Sequence, residues 1–218
     1  MQAIKKQPKL ELVNSLLHVA GVFFGLIFIP YLLLIALKKA NNILVAATGM
    51  YGLAFIMVFT FSSLYHGLLQ PKIKHLFEIL DHVSIYFLIA GTYTPLVVIF
   101  VNTPFGVVLL IALWFLTIIG SLFKLFFTGK FEILSTIIYI LMGLLLLTGG
   151  KRFFISIPPS VTTLIITGVG LYCMGVIFYL WKKFTYHHAI WHLFVLTAAI
   201  CHYFAILIAI KNTGYNIY

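Results

Sequence analysis

Charge is what this sequence has least of. Of 218 residues only 8% are Asp, Glu, Lys or Arg, and the acidic share is four side chains: Glu11, Glu78, Asp81 and Glu132. A soluble domain carries about 25% charged and about 45–50% apolar residues, so a chain that is 63% hydrophobic is excluded from that class. No polar stretch reaches about 20 residues, a length comparable to a single membrane span, which leaves no soluble domain to carve out. Cysteine is nearly absent too. Cys173 and Cys201 both sit in apolar segments without CxxC spacing, so neither a disulfide framework nor a thiolate metal site has support. There is no internal repeat and no Gly- or Ser-rich linker.

What is present is apolar length. A membrane-spanning helix needs about 20 apolar residues, and seven runs qualify, at about 14–37, 43–69, 76–101, 105–126, 132–150, 159–182 and 187–210. Short polar or turn-forming stretches such as KKANN, QPKIK and NTPFG separate them, so sequential helices are antiparallel neighbours. The expected fold is an all-α membrane protein, a single seven-transmembrane-helix bundle over 1–218. The opening MQAIKKQPKLELVN resembles the charged start of a signal peptide. The apolar run after it exceeds the 7–15 residues of a signal core and lacks a small-x-small cleavage site, so it reads as a retained first helix.

Fourteen Lys and Arg give a formal charge of +10. In a soluble protein that excess points to nucleic acid. Here the cations fall in short loops, where they set topology and meet anionic lipid headgroups. The expected partners are therefore membrane lipids, with neither nucleic acid nor a soluble partner. The N-terminal side collects Lys5, Lys6, Lys9, Lys72, Lys74, Lys124, Lys130, Lys182 and Lys183; the opposite side has Lys38, Lys39, Lys151, Arg152 and Lys211. The positive-inside rule then places the N-terminus in the cytoplasm and the C-terminus outside, with the protein in the plasma membrane.

On this topology the ionisable residues converge. His66 lies about one turn before the N-side end of helix 2, Asp81 one to two turns into helix 3, and His188 and His192 at the start of helix 7. Ionisable groups in hydrocarbon are costly unless partnered, and here three helices carry theirs to one depth. His188 and His192, four apart, share a helical face, the local geometry of HExxH without its glutamate. With His66 they make three imidazoles, the number that leaves zinc an open fourth position for water. Asp81 then suits a general base, and Ser62, one turn before His66, a hydrogen-bond donor to the water or a developing oxyanion.

The other polar residues have plainer readings beside functional ones. A single intramembrane histidine is usually an interhelical hydrogen-bonder. His202 roughly shares the face of His188 and His192 but lies ten residues, or about 15 Å, deeper, too far for the same metal. It suits a cavity lining or a packed histidine bonded to helix 2 or 3. Glu11, Asn14, His18 and Gly21 share a face of helix 1, read as an amphipathic entry, with a pocket role for His18 as the alternative. His75 and His187 read as loop and interface residues, His82 as a helix contact, and Glu78 as the solvated start of helix 3. Tyr65 and Tyr93 are the tyrosines near the expected cavity, and Pro95 in GTYTP implies a kink.

The stretches ELVNSLLHVAG, SSLYH, LDHVSIYFLIAGTYTP and HHAIWHLFVLTAAICHYFAI, together covering helix 1 to helix 7, resemble the haemolysin III family, the bacterial branch of the progestin and adipoQ receptor superfamily. The resemblance implies a seven-helix bundle with a cytoplasmic N-terminus and an intramembrane zinc site held by His66, His188 and His192, with Ser62 and Asp81 beside the zinc-bound water. It implies either a zinc-dependent, ceramidase-like hydrolase of a lipid amide or ester, or a pore-forming haemolysin or receptor-like sensor with structural zinc. A conducting pore calls for polarity through the full membrane depth, whereas polarity here is concentrated on one side.

Overall fold

The computed structural model describes residues 8–145, 154, 157–181, 183 and 185–214. Within them the chain forms seven helices: α1 (Pro8–Leu37), α2 (Asn42–Gly67), α3 (Pro71–Phe100), α4 (Pro104–Phe127), α5 (Glu132–Leu144), α6 (Pro159–Leu180) and α7 (His187–Asn212). No strand occurs among the described residues. All but α5 are long and apolar enough to cross a membrane. The final residues expected of the fifth span lie outside the described residues, as do five cations of the topology argument: Lys5, Lys6, Lys151, Arg152 and Lys182.

Local chemistry sets the boundaries. The first helix starts at Pro8 and the third at Pro71, several residues before the apolar runs begin. Proline suits a first helical turn because its missing N–H has no partner there anyway, so polar turns extend both helices beyond their hydrophobic stretches. The start of α2 is capped by Asn41, whose side chain accepts from the Leu44 amide at 3.0 Å. In α4, Thr103 caps the amide of Gly106 ahead of Pro104. The turn into α5 has Gly129 at φ +75, in the left-handed region that glycine adopts without a Cβ penalty.

Proline inside a span does not end it. Helix α3 runs through Pro95, with the Thr94 and Thr92 hydroxyls each donating to the carbonyl four residues before, at 2.7 Å. These bonds go to the Leu88 and Ala90 carbonyls, not to the Gly91 carbonyl that Pro95 leaves without its helical donor.

Burial is uneven. Half or more of the spanning windows of α2, α3 and α7 is buried, against less than a third in α1, α4 and α6. Thus α2, α3 and α7 form the middle of the bundle, and the outer helices present Phe23, Leu26, Ile111 and Ile177 outward, as lipid-facing surfaces do. Where α1 crosses α2, a Cβ on Gly21 would sit 2.2 Å from the Phe59 ring. Antiparallel connection brings the C-terminal ends of α2, α4 and α6 and the N-terminal starts of α1, α3, α5 and α7 to one face, called the N face below.

A candidate metal centre at the N face

The three central helices deliver the ionisable groups. One ring nitrogen from each of His66, His188 and His192 lies within 4.8 Å of the other two. His66 and His192 are buried and His188 is half-buried. Nε2 of His192 is 3.1 Å from Nε2 of His66, and the His188 ring meets both edge-on. Ser62 is buried one turn before His66 and lines the same cavity as Asp81.

Behind this cluster a second set of side chains fixes the rings. The carboxylate of Glu11 on α1 lies 3.3 Å from Nδ1 of His66 and accepts from the Lys74 ammonium at 2.9 Å. Lys74 also donates to the carbonyls of Tyr65 and Leu68, closing the exposed end of α2. A carboxylate can only accept, so the neutral His66 carries its proton on Nδ1 and turns the Nε2 lone pair towards His192. On the other side, Nδ1 of His192 lies 2.7 Å from Nε2 of His18.

Proton accounting tests whether these residues suit a cation. Without one, His18 can donate to His192, His192 to His66, and His66 to Glu11, which leaves His18 Nδ1 as a bare acceptor. With a cation on the three imidazoles, His192 must keep its Nε2 lone pair free and donate from Nδ1 to His18. The His18 proton then sits on Nδ1. Both His18 Nδ1 and Asn14 Oδ1, one turn apart on α1, are buried with no hydrogen-bond partner. In that tautomer one is a donor and the other an acceptor, each still lacking a partner. The donor set, three imidazoles each offering one nitrogen, suits a borderline metal such as zinc.

Two of the three histidines, His188 and His192, line a cavity of about 820 Å³. His18, Ser62, Asp81, His188 and His192 line its N-face end, and Thr92, Tyr93 and His202 line its deep end. All four acidic side chains of the chain, Glu11, Glu78, Asp81 and Glu132, line it as well. A smaller apolar cavity of about 230 Å³ adjoins the deep end and shares Thr92, Tyr93 and His202. The Tyr93 hydroxyl donates to the Gly143 carbonyl. His202 borders both spaces, but its Nε2 lies 3.3 Å from the Ile165 carbonyl, and a Cβ on Gly168 would sit 2.3 Å from it. Its partner is therefore α6, not α2 or α3, because the glycine lets α6 approach closely.

Several sequence expectations change. Glu11, read as part of an amphipathic entry, touches His66; only an i, i+3 polar face hinted at this, and no spacing rule links α1 to α2. Glu78, read as the solvated start of helix 3, keeps 28% of its side chain exposed and also accepts from the Tyr65 hydroxyl at 3.3 Å. His75 belongs to α3, exposed and 3.3 Å from Glu78. His82 turns to its own helix, 2.6 Å from the Glu78 carbonyl, and His187 lies 3.2 Å from the Phe178 carbonyl. Lys124, counted among the loop cations, is fully buried and lines the cavity. It sits in the last turn of α4, where a linear count cannot tell an inward from an outward side chain.

Fold and site together define an integral membrane protein of seven helices that gathers three histidines at its N-face end, two of them lining a cavity. The family model described as "Haemolysin-III related" matches residues 6–203, and the chain belongs to that family. Hemolysin-3 of Bacillus cereus is 38% identical over 206 residues, 94% of each chain. A Hemolysin-3 homolog of Bacillus subtilis (strain 168) is 35% identical over 199 residues, 91% of this chain and 93% of its own. The human monocyte to macrophage differentiation factor is 28% identical over 165 residues, covering 72% of this chain and 67% of its own. No solved structure gives a significant match.

Proposed function

We propose that this protein is a zinc-dependent hydrolase of a lipid amide or ester, seated in the plasma membrane with its N face in the cytoplasm. The observation that carries the reading is three imidazole nitrogens within 4.8 Å of one another, with His188 and His192 lining a cavity that Asp81 and Ser62 also line. His66, His188 and His192 would hold the zinc, whose Lewis acidity lowers the pKa of bound water to about 7. Glu11 and His18 orient the rings of His66 and His192, as outer-shell partners of metal ligands do. Asp81 is the base that takes a proton from the attacking water and returns it to the leaving group. Ser62 donates a hydrogen bond, either to Asp81 or to an oxygen that gains negative charge. The apolar walls deeper in the cavity accept an acyl chain and exclude bulk water, which strengthens each polar contact at the N face.

The test is hydrolysis of a broad panel of lipid amides and esters by purified, zinc-loaded protein, with Asp81→Asn alongside. Turnover by the wild type, lost in Asp81→Asn with zinc retained, supports the reading; no turnover of any substrate by zinc-loaded protein overturns it.

The name of the Bacillus cereus relative, Hemolysin-3, favours a second reading, a membrane-lysing protein. Zinc-independent conductance or leakage in defined liposomes, unchanged in His66→Ala, would support it over the hydrolase.

A further inference from the structure

Lys124, in the last turn of α4, is a fully buried lysine. It has no exposed surface, and its ammonium has no hydrogen-bond partner. A buried charge without a partner is strongly destabilising, and a lysine in a membrane helix generally marks a ligand or ion path. Lys124 is one of the residues around the cavity that His188 and His192 line, at the same face of the bundle, with its ammonium buried in the cavity wall. The carboxylates nearest it electrostatically are Glu132 and Glu78. Neither makes an ion pair with it, and Glu78 is taken up by Tyr65 and His75. An ammonium only donates hydrogen bonds, so what is missing is an oxygen acceptor supplied from the cavity.

We propose that Lys124 seats the anionic oxygen group, a carboxylate or a phosphate, of a single-chain amphiphile whose tail runs towards Thr92, Tyr93 and His202. Charge-assisted hydrogen bonds to such a group are about twice as strong as neutral ones. The exposed Lys183 lines the same cavity and adds a second cation along it. The tail end is mainly apolar and continues into the adjoining cavity, which suits an acyl chain and not a second charged group. Glu132 and Glu78 oppose an anion, so a divalent cation at the histidines strengthens the binding without replacing Lys124. The inference rests on the hydrolase reading only in treating the cavity as a ligand chamber; its test measures binding and involves no turnover.

The test uses the full chain in nanodiscs, with and without zinc, and three probes of equal tail length: dodecanoate, dodecyl phosphate and dodecanol. Wild type binds at least one anionic probe about tenfold or more tighter than dodecanol, the difference expected of a charge-assisted contact. In Lys124→Met that preference falls to about twofold or less, since the charged contact is gone, while dodecanol binds as before. Lys124→Gln behaves like Lys124→Met, and Lys124→Arg keeps the preference. Whether dodecanoate or dodecyl phosphate binds tighter tells a fatty-acid-like ligand from a phosphate headgroup. Equal binding of anionic and neutral probes to wild type overturns the proposal, as does failure to bind any of them. A preference that survives in Lys124→Met or Lys124→Gln but vanishes when zinc is removed also overturns it, while leaving the metal reading intact.

Discussion

Nε2 of His18 lies 2.7 Å from Nδ1 of His192, so the first helix positions a histidine of the last. This contact ties the two ends of the chain together at the depth where α2 and α3 bring His66 and Asp81. Replacing His18 with Leu removes the acceptor that holds the His192 proton on Nδ1. Metal affinity should fall about 10–100-fold, the usual loss for an outer-shell partner. His18→Gln, which can still accept, should recover much of it. Competition titration with a chromophoric zinc chelator measures both. Equal affinities in wild type and His18→Leu would contradict the assigned role.

Glu11 makes a comparable contact on the other side, bridging His66 and Lys74. Glu11→Gln keeps the shape but removes the charge that favours a cation nearby, and leaves the Lys74 ammonium without its carboxylate. Zinc affinity should fall by about tenfold or more. Thermal stability should fall too, since losing one partner of a partly buried pair exposes the other to the desolvation penalty. Lys74→Met should cost stability with a smaller effect on zinc, because Glu11 remains beside His66. The same titration and a melting curve in detergent compare the two.

Packing between α1 and α2 gives a test independent of metal. An added methyl at Gly21 meets the Phe59 ring at 2.2 Å, whereas one at Gly170 meets nothing within 4 Å. Gly21→Ala should destabilise by about 1–3 kcal/mol, the cost of overpacking, and Gly170→Ala, at an unobstructed helix position, should be neutral to stabilising by up to about 1 kcal/mol. Thermal melts of metal-free protein decide it. Similar melting of the two variants would mean that α1 is not held against α2 as described.

Much of this arrangement was legible in the sequence because the membrane restricts what a chain can do. Hydrocarbon forces apolar runs into helices, and short connections force antiparallel neighbours. The end to which His66, Asp81, His188 and His192 come then follows from counting along the chain. What counting misses is rotation about each helix axis. Lys124 is near the end of a span whether it faces lipid headgroups or the cavity, and only packing against α3 and α5 decides. Glu11 and His18 share a face in the sequence, but their contacts with His66 and His192 depend on how α1 lies across α2 and α7. The first helix therefore read as an entry segment when it is the outer support of the histidine cluster.

The central claim is that His66, His188 and His192 together hold one zinc ion. Elemental analysis of purified wild type, of His66→Ala, His188→Ala and His192→Ala, and of Asp81→Ala measures this directly. Wild type should carry about one zinc per chain, as a site with three protein ligands does. Each histidine variant should lose most of it, while Asp81→Ala should keep it. Full zinc retention in the three histidine variants, or no zinc in wild type supplied with it, would contradict the account.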